Sequence, residues 1–349
     1  MNNPEGLRAV SLGENGPDVS VIGYGTYHLL DKLDAYTAIE SMGRAYEAGI
    51  TLFDTSDNYG TELAIGKAVA EGVLPRENIF ITTKTGLATS ATEALEWDRN
   101  KSTNTSPRRI HKQVEKSLWL LGDAVGHIDL YQLHAYDPEA NPFEIAYTMQ
   151  DLIYEGKVGA YGVSNYPAEA ITKLLEVCDY YGYPKPVSSQ SFYNVLTSFD
   201  NQEAIDTAHS SGLTVLAHSP LHKGALTSLA IDIVESGIIE AEQHEERDKE
   251  VVQTLQAGVK DLKQLQEYAQ SKGQSLATLS LAWLAMQGNT VVLSACTEPE
   301  YLENAVEAAN WQIDDEGLNL ISEVRSKENT RDFAGLMFKV MQRTKLYYR

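Results

Sequence analysis

Four ionisable residues carry the chemistry that this chain can do. They are Asp54, Tyr59, Lys84 and His134. A tyrosine is a weak acid near neutral pH, because its ordinary pKa is about 10. A lysine ammonium beside the phenol favours the phenolate and eases proton donation. A buried lysine in turn needs a counter-ion, and Asp54 is the nearby candidate. An imidazole opposite can hydrogen-bond a carbonyl oxygen and hold it facing the phenol. Together such groups can protonate a carbonyl oxygen or take the proton from an alcohol. Taken singly, each has a plainer role open to it. Asp54 also suits a helix cap, Lys84 a snorkelling strand end, His134 a satisfied core imidazole and Tyr59 a half-buried aromatic.

Their positions in the chain argue for convergence. Asp54 closes the apolar run ITLFDTSDNYG (50–60), with Tyr59 five residues on. Lys84 closes IFITTKTG (79–86), and His134 closes IDLYQLHAYDP (128–138). In a parallel α/β barrel the carboxyl ends of all strands open on one face, where catalytic groups gather.

The rest of the chain supplies the strands and crossovers that such a barrel needs. Apolar, β-branched runs occur at 19–27, 50–55, 79–86, 128–134, 157–165, 186–194, 213–220 and 289–296. They are continuous rather than alternating, as strands covered on both faces are. Helix-period stretches lie between them at 35–49, 106–122, 143–156, 167–182 and 276–288, several closing on Gly. Eight alternations predict a parallel sheet with helical crossovers. The fold expected is α/β, a (β/α)8 TIM barrel with extended βα loops, in a single domain over 1–349. Segments 87–105 and 221–258 are long for barrel loops, and long βα loops tend to serve binding. The charge run EAEQHEERDKE (240–250) suits a solvated helix face. The C-terminal stretch 331–349 holds five Lys/Arg against one acid, mixed with Phe, Leu, Met and Tyr. It is expected to lie over the barrel mouth, packed on its own barrel or on a subunit.

The 349 residues carry a net charge of −21, which argues against a nucleic-acid surface. No run approaches the ~18 apolar residues of a membrane span. The N-terminus shows neither the basic nor the apolar region of a secretory signal, so a cytoplasmic location is expected. Cys178 and Cys296 match no metal or redox spacing, so reduced thiols and no metal site are expected. Monomer and homo-oligomer both remain open.

Over nearly its whole length the sequence resembles the aldo-keto reductase family. GYGTY (23–27) is similar to the family's first-strand segment, and GITLFDTSDNYGTELAIGKAV (49–69) resembles its most specific signature. GKVGAYGVSN (156–165), AHSPLHKGAL (217–226) and LENAVEA (302–308) resemble the fifth-strand, seventh-strand and final-helix segments. The resemblance implies an NAD(P)-dependent oxidoreductase that interconverts an aldehyde or ketone with its alcohol. It implies Tyr59 as general acid, Lys84 and Asp54 as its tuners and His134 as the group that orients the carbonyl. It places Ser164, Asn165 and Gln190 on the nicotinamide carboxamide. Gly25, Thr26, Asp54, Ser219, Leu221, Lys223, Glu303 and Asn304 are further cofactor contacts on the same grounds. No Gly-x-Gly-x-x-Gly run follows any strand, in keeping with a cofactor bound extended.

Two departures stand out. His218 occupies the place where the family usually stacks a large aromatic on the nicotinamide. Ser294 and Glu300 occupy the places where NADPH-preferring members carry Lys and Arg. A 2′-phosphate beside Glu300 would be repelled, whereas a carboxylate can accept from ribose hydroxyls, so NAD(H) is favoured. Tyr27, Trp97 and Phe192 are candidate walls for a small carbonyl or alcohol substrate, sugars and polyols included. Two other functions remain open: a nucleotide-binding regulatory subunit, and an unrelated barrel enzyme using Lys84 as a Schiff-base amine.

Overall fold

A computed structural model describes residues 7–87, 103–196, 198–236 and 246–344. Eight parallel strands close into a barrel. They are β3 (Ile22–Gly25), β4 (Leu52–Asp54), β5 (Phe80–Thr85), β6 (Ile128–Leu133), β7 (Val158–Ser164), β8 (Ser188–Phe192), β9 (Thr214–His218) and β10 (Thr290–Ser294). The strands follow one another around the barrel in chain order, and β10 pairs with β3 to shut it. Every apolar run read from the sequence supplies one of these strands. The fold is therefore the (β/α)8 barrel expected.

The strands are buried on both faces because side chains fill the interior and helices cover the outside. Ile22, Tyr24, Leu52, Phe53, Ile81, Leu130, Tyr131, Val215 and Val292 are all fully buried. The covering helices start where the sequence offers caps. Asp34 accepts from the Tyr36 and Thr37 amides at the head of Ala35–Glu47, and Asn141 caps Pro142–Tyr154. Ser106 and Pro107 open Pro107–Leu121. Gly182, at φ 68°, ends Ala168–Tyr181 in the left-handed conformation that glycine adopts without penalty.

Two parts differ from the sequence expectation. Residues 19 and 20 leave the first barrel strand and join a small antiparallel hairpin, β1 (Ala9–Ser11) with β2 (Asp18–Ser20). The segment 221–258, long for a barrel loop and expected to carry a solvated helix face, is mostly helical over its described residues. It forms Ser228–Glu235 and the start of the helix Glu246–Ser271, in which residues 246–250 of the charge run lie. That long helix packs against the C-terminal helix Glu328–Thr344, whose Phe333, Ala334 and Met337 are buried. The described part of the C-terminal stretch thus packs on its own barrel. Both cysteines are buried and unpaired with each other. Among the described residues no helix is long and apolar enough to cross a membrane.

Helix Glu62–Ala70 lies so close to Pro107–Leu121 that a Cβ on Gly66 would fall on the Leu121 carbonyl oxygen. Gly66→Ala is therefore expected to destabilise the fold by roughly 1–3 kcal/mol, despite alanine's better helix propensity. Urea unfolding curves check this, and equal or greater stability of the variant would contradict the close approach.

Candidate active site

Asp54 ends β4 and Lys84 lies near the end of the neighbouring β5, so strand pairing alone brings them together. Lys84 Nζ donates to Asp54 Oδ2 at 2.6 Å and to the Thr55 carbonyl at 2.8 Å. The lysine is fully buried and the carboxylate nearly so. Gln190 from β8 donates to Asp54 Oδ1 at 2.9 Å, and Gln132 from β6 approaches the same oxygen at 3.5 Å. Burial raises the Asp54 pKa and lowers that of Lys84, and in each case the partner's charge opposes the shift. Three donors on one carboxylate favour its ionised form.

Tyr59 follows in the loop after β4 and stands over the pair. Lys84 Nζ is 4.9 Å from its ring centroid, and its hydroxyl is 3.5 Å from His134 Nε2. Sequence reasoning expects the lysine to pull the phenol's pKa down. Instead burial pushes it well above its usual value, and Asp54, Tyr27 and Asp57 push the same way. The ammonium meets the ring face, while its bonds go to Asp54 and Thr55, so the phenol stays protonated. His134 sits just past β6, and burial and then the charge of Lys84 lower its pKa to about 2. The imidazole is thus neutral at physiological pH. Asn165 Nδ2 donates to the His134 carbonyl at 3.1 Å and fixes its backbone.

These groups sit at the inner end of a cavity of about 1250 Å³ at the carboxyl face of the barrel. Of the four, Asp54, Tyr59 and His134 line it, and Lys84 lies behind the wall. Gly25, Tyr27, Asn165, Gln190, Phe192 and His218 continue the lining. Beyond them come Ser219, Leu221, Lys223, Ser294, Glu300 and Asn304. Thr26 and Ser164 are fully buried and outside the lining, while Glu303 is exposed. Trp97 falls outside the described residues. His218 Nε2 lies 3.2 Å from Asn165 Oδ1, and Phe192 packs beside the His218 ring at 5.5 Å between centroids. Asn165, Ser219, His222 and Lys223 all adopt positive φ, between 47° and 54°. Non-glycine residues pay roughly 1 kcal/mol each for this, and such strain clusters at functional sites. Ala334 and Gly335 of the C-terminal helix complete one wall, and His222 Nε2 meets the Ala334 carbonyl oxygen at 3.0 Å.

Two further polar sets are not signalled by the motifs above. Gln266, Gln270 and Gln274 also line the cavity. Arg109, Gln113 and Ser117 are buried, as are Asp57 and Glu62, and Gln113 and Arg109 meet Asp57. Both triplets recur every fourth residue, which puts Arg109, Gln113 and Ser117 on one face of Pro107–Leu121 and Gln266 and Gln270 on one face of Glu246–Ser271, with Gln274 just past that helix's end. A polar stripe where an apolar one is expected was the available signal.

With this geometry in place, comparison with known proteins is decisive about family. The family model described as Aldo/keto reductase family matches residues 21–326. The chain belongs to the aldo/keto reductase family. Its broad activity is accordingly that of an oxidoreductase. This aldo/keto reductase is 28% identical over 335 residues to the NADH-specific methylglyoxal reductase of Escherichia coli (strain K12), covering 91% of this chain and 98% of that one. It is 29% identical to aldo-keto reductase YhdN of Bacillus subtilis (strain 168), over 89% of this chain and 91% of that one. It is 27% identical to L-glyceraldehyde 3-phosphate reductase of Escherichia coli O157:H7, over 85% of this chain and 86% of that one.

In this reductase the Asp54–Lys84 pair is buried, so removing one partner strands the other charge. Asp54→Ala is expected to cost about 3–5 kcal/mol of stability, and adding Lys84→Met should recover much of it. Denaturant melts of the single and double variants check this; equal costs for both would show that the pair is not buried.

Proposed function

We propose that this chain interconverts an aldehyde or ketone with its alcohol using a nicotinamide dinucleotide, with Tyr59 giving and taking the proton. The observation that carries the proposal is the meeting of Tyr59 and His134 over the Lys84–Asp54 pair at the inner end of the cavity. The lining fits such a cofactor: Asn165 and Gln190 offer the amide groups that a carboxamide pairs with, and the cavity runs on to Asn304. When bound, the cofactor would supply or accept the hydride.

The protein's own part is positioning and proton handling. Tyr59 holds its proton in the resting site and can donate it to an oxygen that also reaches His134. As the phenolate develops, the nearby Lys84 ammonium stabilises it, and Asp54 keeps that ammonium charged. His134, neutral and close to the phenol, directs the oxygen. Lys84 lies behind the cavity wall with its protons on Asp54 and Thr55, which disfavours a Schiff-base role.

NAD(H) use is part of the proposal. The wall at Ser294 and Glu300 carries no cation, and the lining lysines, Lys32 and Lys223, lie on other segments. An NADH-specific relative is in keeping with this. Relatives named for methylglyoxal and glyceraldehyde 3-phosphate point to a small, oxygen-rich carbonyl, beside Tyr27 and Phe192.

Tyr59→Phe is expected to lower kcat for a small-aldehyde panel by roughly 10²–10⁴-fold while leaving NADH affinity, read by fluorescence, nearly unchanged. Near-normal turnover would overturn the role of Tyr59. Glu300→Arg should tighten NADPH binding by about tenfold relative to NADH, the worth of one hydrogen bond to a charged group. An unchanged ratio would place the 2′-hydroxyl elsewhere.

A further inference from the structure

The groups above account for the cavity side of His134 but not for its other ring nitrogen. Nδ1 lies 3.0 Å from Ser56 Oγ, and the same hydroxyl lies 3.2 Å from Asp57 Oδ1. Asp57 turns into a buried polar layer. Gln113 Nε2 donates to its Oδ2 at 2.7 Å, Thr85 Oγ1 lies at 3.5 Å and the Arg109 guanidinium at 3.8 Å. Ser56 is fully buried, and Asp57 and His134 are each 8% exposed. No alternative solvent partner competes strongly for this short chain of groups.

A serine hydroxyl has one hydrogen to give. If Asp57 is ionised, Ser56 donates to it, and His134 must carry its hydrogen on Nδ1 to donate to Ser56. Nε2 is then bare and can only accept. If Asp57 is protonated it donates to Ser56, Ser56 donates to Nδ1, and the ring hydrogen sits on Nε2. The two patterns differ by one proton. Taken up at Nε2, it releases the Nδ1 proton to Ser56, whose own proton passes to Asp57.

We propose that Ser56 and Asp57 are positioning residues that select the tautomer of His134, and so decide whether Nε2 donates to a carbonyl oxygen or accepts from a hydroxyl. The inference rests on the reading of Tyr59 and His134 as the site of carbonyl–alcohol conversion. A donating Nε2 suits reduction, and an accepting one suits alcohol oxidation. Burial raises the Asp57 carboxyl to about 6, opposed by the Gln113 hydrogen bond. Every charged or titratable group facing Asp57 matters here. Arg109 and Lys84 favour its ionised form and Glu62 opposes it. Tyr131 and Tyr59 are held neutral by burial, and His134 is neutral as well. Within this pH range the ring therefore changes tautomer rather than charge.

The test uses the full chain labelled with ¹⁵N-histidine, with the His134 signals identified by their loss in His134→Gln. In the wild type the ring hydrogen should sit on Nε2 below about pH 5 and on Nδ1 above about pH 7, a unit either side of the carboxyl's midpoint. Ser56→Ala and Asp57→Asn should each abolish the inversion. The pH profile of kcat/KM for aldehyde reduction should show an inflection in the same range that both variants lose. A single tautomer at all pH in the wild type, or an inversion that survives in both variants, overturns the proposal. An inversion without turnover of any carbonyl supports the tautomer selection and instead sinks the functional reading.

Discussion

A carboxylate and an ammonium held 2.6 Å apart inside a barrel are expensive to desolvate, and the architecture at this end is arranged around that cost. Asp54 comes from β4, Lys84 from β5, and the amides that finish the pair from β6 and β8. The site therefore depends on the register of strands halfway around the barrel. A one-residue slip in any of them would turn its side chain to the opposite face and leave a buried charge without a donor. The pair in turn fixes the platform on which the Tyr59 ring rests, and through it the distance to His134. Packing of the barrel and chemistry at its mouth are thus one constraint rather than two.

The rim is built differently from this core. After β7 and β9 the chain turns through residues with left-handed backbone, Asn165, Ser219, His222 and Lys223, none of them glycine. Their strain is held by specific bonds: Asn165 to the His134 carbonyl, the His222 amide to the Ser219 carbonyl, and the His222 ring to Ala334. On this side the cavity is therefore bordered by turns that are set rather than loose, which lowers the ordering cost of binding.

The sequence revealed the barrel because strands covered on both faces are continuous apolar runs, and eight of them are hard to mistake. That Asp54, Lys84 and His134 would meet was legible because each stands at or just past the carboxyl end of such a run, and those ends share one face. Other features were hidden for physical reasons. The hairpin β1–β2 is only three residues per strand, too short for a periodic signal. The charges that open the helix beginning at Glu246 suit a solvated helix face, but they show neither how far the helix runs nor that it packs on the C-terminal helix. The raised pKa of Tyr59 is not legible in the sequence, because spacing shows which groups meet but not how much water they lose. Ser56 and Asp57 were overlooked because their partners, Gln113 and Arg109, lie on a helix that no local pattern connects to them.

The seam between β3 and β10 carries one more consequence. It joins residue 22 to residue 292, so the first strand waits for the last before the sheet has no edges. Loop-closure entropy must be met over the 270 residues from 22 to 292, more than three quarters of the chain, and such long-range pairing slows folding. Until that closure an unfinished sheet presents raw backbone to its surroundings, a state in which chaperone capture competes with aggregation.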